Sequence, residues 1–172
     1  MPPTIICYTG GTGGDIVTQI IDDRDLLPER QQLKKPHLFT SDNEKDQYIA
    51  HSIWNSLPSH DFEYHRKRQH AILGIHCRTW ESAIWAATRF KSFHRPLVWK
   101  EMTAFCGADT VEAYAQMIID FGNMLADYTD NVLYLDRIIA GHAIEDIKAL
   151  GQPTPGIILY NEWLSNEIRS TN

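Results

Sequence analysis

Apolar positions fall along this chain in blocks of two kinds, short continuous runs and longer stretches spaced three and four apart. Residues 4–8, TIICY, form a short apolar, β-branched run followed at once by glycines. This predicts a buried parallel strand. DIVTQIIDD then brings Ile16, Ile20 and Ile21 to one helical face, with Asp15 placed to cap it. Residues 24–36 are polar and proline-bounded, and read as a loop or lid. HLFTS is a candidate second strand, and Ser41 with Glu44 is a capping signal. The segment after it sets Tyr48, Ile49, Ser52, Ile53 and Leu57 at helical spacing. HAILGIHC, residues 70–77, is a second strong strand, continuous and apolar. Its following helix is TWESAIWAATRFKSF, capped by Thr79, with Trp80, Ile84, Trp85 and Thr88 along one side and Pro96 beyond its end. RPLVW is a further short strand candidate.

The clearest amphipathic helix covers residues 110–128, with Val111, Tyr114, Met117, Ile118, Phe121, Leu125 and Tyr128 in register. NVLYLD, residues 131–136, is the third strong strand. AIEDIKALG is a short helix stopped by Gly151, and IILYNEWLSNEIRS is a last helix. Strands alternating with helices imply an α/β fold, a mostly parallel sheet with helices on both faces. The length of 172 residues fits a single domain, 1–172. In such sheets ligands collect at the carboxyl ends of the strands. The glycine stretch ends the first strand, His76, Cys77 and Arg78 end the second strong one, and Asp136 and Arg137 end the third, so these groups are expected to converge.

Charge and composition narrow the function. The formal net charge is -6, which argues against a nucleic-acid binder. Eight basic residues nevertheless concentrate between residues 61 and 100, pointing to a local anionic ligand or to a solvated face. HRKRQH lies at the amino end of its strand, away from the expected crevice, and reads as a solvated edge, with a contact to nucleic acid or an acidic partner as the alternative. The longest apolar runs fall short of a membrane span, and the start of the chain lacks a signal-peptide pattern. Cys7, Cys77 and Cys106 lack metal-site spacing and read as reduced, buried thiols of a cytoplasmic protein. No metal site is expected.

Gly10-Gly11-Thr12-Gly13-Gly14-Asp15 carries the sharpest question. Glycines let backbone amides approach an anion, and a helix N-terminus adds partial positive charge. The P-loop pattern is incomplete: Ile16 and Val17 stand where lysine and a hydroxyl belong, and the dinucleotide pattern lacks its third glycine. The stretch reads either as a phosphate or sulfate cradle or as a tight strand-to-helix turn.

The order of elements resembles the P-loop sulfotransferases, a branch of the P-loop NTPase-like three-layer sandwich fold. YTGGTGGDIV occupies the place of the 5′-phosphosulfate loop. AILGIHCRTWESAIWAATRF is similar to the strand-arginine-helix segment that holds the donor's 3′-phosphate, with Ser82 and Thr88 as nearby hydroxyls. VEAYAQMIIDFGNMLADYTDNVLYLDRIIAGHAIEDIKALG is similar to the late helix, strand and short helix. The resemblance implies a nucleotide- or phosphate/sulfate-binding protein, a sulfuryl or phosphoryl transferase if an enzyme, with 3′-phosphoadenosine 5′-phosphosulfate or another nucleotide as ligand. Gly10, Gly11, Thr12, Gly13, Gly14, Asp15, Arg78 and Ser82 would bind the anion or nucleotide. His76 is the candidate general base, with His37 and His51 behind it. Trp80 is placed to stack on a base. The rival readings are a non-catalytic interaction protein that keeps the fold and, last, a nucleotide-sugar enzyme suggested by GGTGG.

Overall fold

The computed structural model describes residues 4–22, 48–52, 66–93, 99–100 and 107–170. Strand β1 (Thr4–Tyr8) is the second strand of a four-stranded, all-parallel sheet whose other members are β2 (Tyr48–Ser52), β3 (Ala71–His76) and β4 (Val132–Tyr134), in the order β2-β1-β3-β4. Thr4 lies opposite Tyr48 on one side and Ala71 on the other, and Gly74 lies opposite Val132. The helices are α1 (Gly14–Asp22), α2 (Trp80–Phe93), α3 (Val111–Leu125), α4 (Leu135–Ile139), α5 (Ala143–Ala149) and α6 (Ile157–Ser170). The expected alternation of strands and helices is present, and the sheet is small and parallel.

Side chains alternate across a strand, so the sheet has two packed faces. Ile5, Cys7 and Ile72 meet Phe121 and Leu125 of α3. Ile6, Tyr8, Leu73 and Ile75 join the larger cluster with Ile16, Val17, Ile20 and Ile21 of α1. Leu133, Ile138, Ala143, Ile147 and Tyr160 extend that cluster toward the C-terminal helix. Cys7 and Cys77 are buried thiols outside any disulfide, as their apolar surroundings predict.

Several expectations are corrected. Tyr48–Ser52 is not helical but the edge strand β2, because its backbone pairs with β1 along its whole length. Tertiary pairing overrides the helical spacing of its apolar residues. The third strong strand is shorter than NVLYLD: only Val132–Tyr134 is extended, and Leu135 already opens α4. Along α2 the buried side is Ser82, Ala83, Ala86, Ala87 and Phe90, while Trp80 is exposed and Thr88 faces solvent. The small residues let α2 lie close against its neighbours, and the bulky tryptophans occupy its flanks. Trp99 and Lys100 are helical, not part of a strand. Residues 24–36, HLFTS, Ser41, Glu44, Trp54, Cys106 and residues 95–98 lie outside the described residues.

Candidate functional site

The turn between β1 and α1 is held by its own backbone. The Thr12 amide and the Thr12 hydroxyl both donate to the Thr9 carbonyl, at 3.2 and 2.7 Å. Gly11 and Gly13 have φ of +93° and +83°, a region that costs an L-residue roughly 1–2 kcal/mol. The other two glycines are demanded by close packing. A Cβ on Gly10 would stand 2.3 Å from the Phe90 ring, and one on Gly14 would stand 2.0 Å from the Tyr8 ring. Gly11 is doubly constrained, since its Cβ would come within 2.2 Å of the Ala86 carbonyl oxygen. Behind the turn, the buried Tyr114 hydroxyl donates to the Gly10 carbonyl at 3.0 Å. Phe90 stacks on Tyr114, centroids 4.9 Å apart, and Trp99 meets both rings edge-on.

Helix α1 begins two residues earlier than the sequence suggests. The Val17 amide donates to the Gly13 carbonyl at 3.1 Å, so Asp15 lies in the first turn rather than capping it. The first amides of a helix have no partner within it. Those of Gly13, Gly14 and Ile16 bond to no other described residue, although all three residues are buried. Two more polar atoms near this turn are unpartnered and buried: Thr9 Oγ1, on a residue only 2% exposed, and Trp163 Nε1. The Trp163 ring approaches the position of a Gly13 Cβ at 4.0 Å.

A cation stands beside these donors. Arg89 of α2 donates from one terminal nitrogen to the Gly11 carbonyl at 3.2 Å. Its Nε and the other terminal nitrogen reach the Glu167 carboxylate of α6, at 3.1 and 3.4 Å. The guanidinium lies 5.5 Å from the ring centres of both Trp85 and Trp163. The turn therefore keeps company with Arg89 and not with Arg78. Arg78 precedes the first turn of α2, whereas Gly11 meets that helix at Ala86 and Phe90.

Arg78 has its own setting at the ends of β3 and β4, where it does converge with Asp136 as expected. Its fork holds the Asp136 carboxylate at 3.0–3.3 Å, and its guanidinium lies 4.1 Å from the centre of the Tyr134 ring. The side chains are 44% and 30% exposed, so this is a surface pair of small energetic weight. Its hydrogen bonds to the Asp136 carboxylate raise the Arg78 pKa further. Asp136 lies in the first turn of α4 and spends its carboxylate on Arg78; the N-cap is Tyr134, with no side-chain bond. Arg137 turns away to Glu145 and Asp146 of α5.

His76 packs against Gly122 and the Tyr134 ring. Burial pushes its imidazole below the ordinary value, against a raising contribution from a hydrogen bond with Asn123. Its Nε2 is buried and unpartnered. Thr79 caps α2, as its sequence position predicts: the Ser82 amide donates to the Thr79 hydroxyl at 3.2 Å. The Ser82 hydroxyl, 5% exposed, is engaged by Thr79 and lies 3.1 Å from Cys77 Sγ. Burial raises the Cys77 thiol pKa, which leaves it protonated at neutral pH.

The predicted site residues thus form two groups, Gly10 to Asp15 at the turn and His76, Arg78 and Ser82 at the next strand end. Sequence reading missed Arg89, Trp163 and Tyr114. Arg89 sits three residues after the Ala86 and beside the Phe90 that pack the turn, a placement that only the crossing of α2 reveals. Nothing near Trp163 in sequence indicates its place. Among the described residues no cluster of His, Cys, Asp and Glu is able to hold a metal ion, and no helix is long and apolar enough to cross a membrane. Comparison with protein-family models, with curated proteins and with solved structures gives no match to this chain.

Proposed function

We propose that this chain binds a small oxyanion of the phosphate or sulfate class at the β1–α1 turn. The observation that carries the reading is the buried first turn of α1, whose Gly13, Gly14 and Ile16 amides have no partner among the described residues. Helix N-termini of this kind attract anions through their amides and their dipole. Arg89, held at the same turn, supplies the charge, and Thr9 Oγ1 and Trp163 Nε1 supply two further unsatisfied groups. In its finer form the proposal is a nucleotide ligand on a P-loop-like fold, extending toward Arg78 and the exposed Trp80. Sulfuryl or phosphoryl transfer to a hydroxyl acceptor would then use His76 to take the acceptor's proton, which its burial-favoured neutral form permits.

Isothermal titration with inorganic phosphate, adenosine 3′,5′-bisphosphate and ATP tests the reading. Wild type binds phosphate; Arg89→Ala weakens that binding about tenfold or more, since a charged hydrogen bond is worth roughly 1.5–3 kcal/mol. Arg78→Ala weakens only the bisphosphate. Absence of heat from all three ligands at millimolar concentration sinks the proposal.

A second reading is a non-catalytic interaction protein that uses the same fold as a scaffold. It is favoured by the closed Arg78–Asp136 pair and by packing or backbone conformation that already requires each glycine of the turn. A blank titration with a folded protein is its expected result.

A further inference from the structure

We propose that the C-terminal helix α6 is an internal competitor for the turn site, with Glu167 occupying Arg89 in the place an oxyanion would take. The inference rests on the oxyanion reading above and specifies how that site is regulated. Arg89 presents its guanidinium to one side of two touching indole rings, Trp85 and Trp163, and beside the Gly11 carbonyl. The Glu167 carboxylate fills that guanidinium with two hydrogen bonds, and the pair is largely shielded, with side-chain exposures of 17% and 23%. An anion seated on the first turn of α1 next to Arg89 would face the Glu167 charge across a partly desolvated space, where repulsion is weakly screened. The two acceptors therefore exclude one another.

The helix is built to give way at one end. Its first half is fastened: the Gly156 amide donates to the Ile20 carbonyl at 2.9 Å, and the buried Tyr160 hydroxyl donates to the Ile138 carbonyl at 2.6 Å. Its later half touches the site through Trp163 and Glu167. Trp163 and Leu164 also pack against the core, so displacing Glu167 loosens the later half without detaching it, while the first half stays docked.

The experiment has two arms. Hydrogen exchange of residues 161–167 is followed in wild-type protein with and without inorganic phosphate, and phosphate affinity is measured by tryptophan fluorescence for wild type and Glu167→Gln. The proposal expects faster exchange in 161–167 on adding phosphate, unchanged exchange in 157–160, and affinity about fivefold tighter in Glu167→Gln, the upper worth of a partly exposed ion pair. Phosphate binding only in Glu167→Gln also supports it. Equal affinity in both proteins with unaltered exchange overturns the competition and leaves the oxyanion site standing. No binding to either protein overturns both, and adenosine 3′,5′-bisphosphate in parallel separates free phosphate from a nucleotide source. The wild-type exchange arm reads out even where the variant fails to fold.

Discussion

Gly11→Ala is the sharpest probe of the turn, because two independent penalties fall on one atom. The φ of +93° costs an alanine roughly 1–2 kcal/mol. The added Cβ also lands 2.2 Å from the Ala86 carbonyl oxygen, a backbone atom of a packed helix that cannot swing aside. Overpacking of this sort costs roughly 1–3 kcal/mol. Against these, alanine reduces the freedom of the unfolded chain by about 0.4–1 kcal/mol. The net loss is about 1–5 kcal/mol, centred near 3. Gly151→Ala is the matched control: φ is +74°, but nothing lies within 4 Å of its Cβ, so only the conformational cost remains. Urea denaturation at 25 °C, followed by circular dichroism, measures both. With a slope of about 2 kcal/mol/M, the Gly11 variant should lose about 1–2 M in midpoint and the Gly151 variant well under 1 M. A Gly11 variant no less stable than the Gly151 variant would refute the claim that contact with α2 dictates this glycine.

Two further outcomes are expected. Tyr160→Phe strips the buried Ile138 carbonyl and the Ala143 amide of a partner and should cost about 1–3 kcal/mol, read by the same denaturation. Stability should also depend on pH through His76: burial holds its pKa below 6.5 in the folded chain, so the unfolded chain takes the proton first. The contribution is constant above pH 6.5 and is lost as pH falls below it, and His76→Gln should flatten that part of the acid limb; an unchanged slope would contradict it. At the other end, burial raises Cys77 above 9.0 and Tyr160 above 10.0, so stability should decline again above about pH 9 as the unfolded chain ionises first.

The elements legible in the sequence were those whose pattern is local. The continuous apolar runs of β1 and β3 and the capped, periodic α3 are each specified by residues within one window. Convergence of Arg78 with Asp136 was legible too, because parallel strands carry their carboxyl ends to one side. β2 was not, because YIAHS becomes a strand only through its pairing with β1. The anion site was half legible. The glycines announced a turn, but which cation attends it depends on where α2 crosses, and that is set by Ala86 and Phe90 pressing on Gly10 and Gly11. The turn's other wall comes from Trp163, near the opposite end of the chain, and no local pattern links the two.

The strand order has a cost paid in time. β1 sits inside the sheet, yet its partners are β2 and β3, and no hairpin offers it an early neighbour. Helix α1 waits longer still, since the Ile20 carbonyl is met by Gly156. During synthesis TIICY, an apolar and uncharged segment, precedes both its partners: its β2 side stays open until residue 52 has followed it and its β3 side until residue 76. Such a segment is prone to pair with another chain, and non-local parallel pairing is slow. The efficiency with which this protein folds is therefore set less by its final packing than by what shelters its first strand while the rest of the sheet is made.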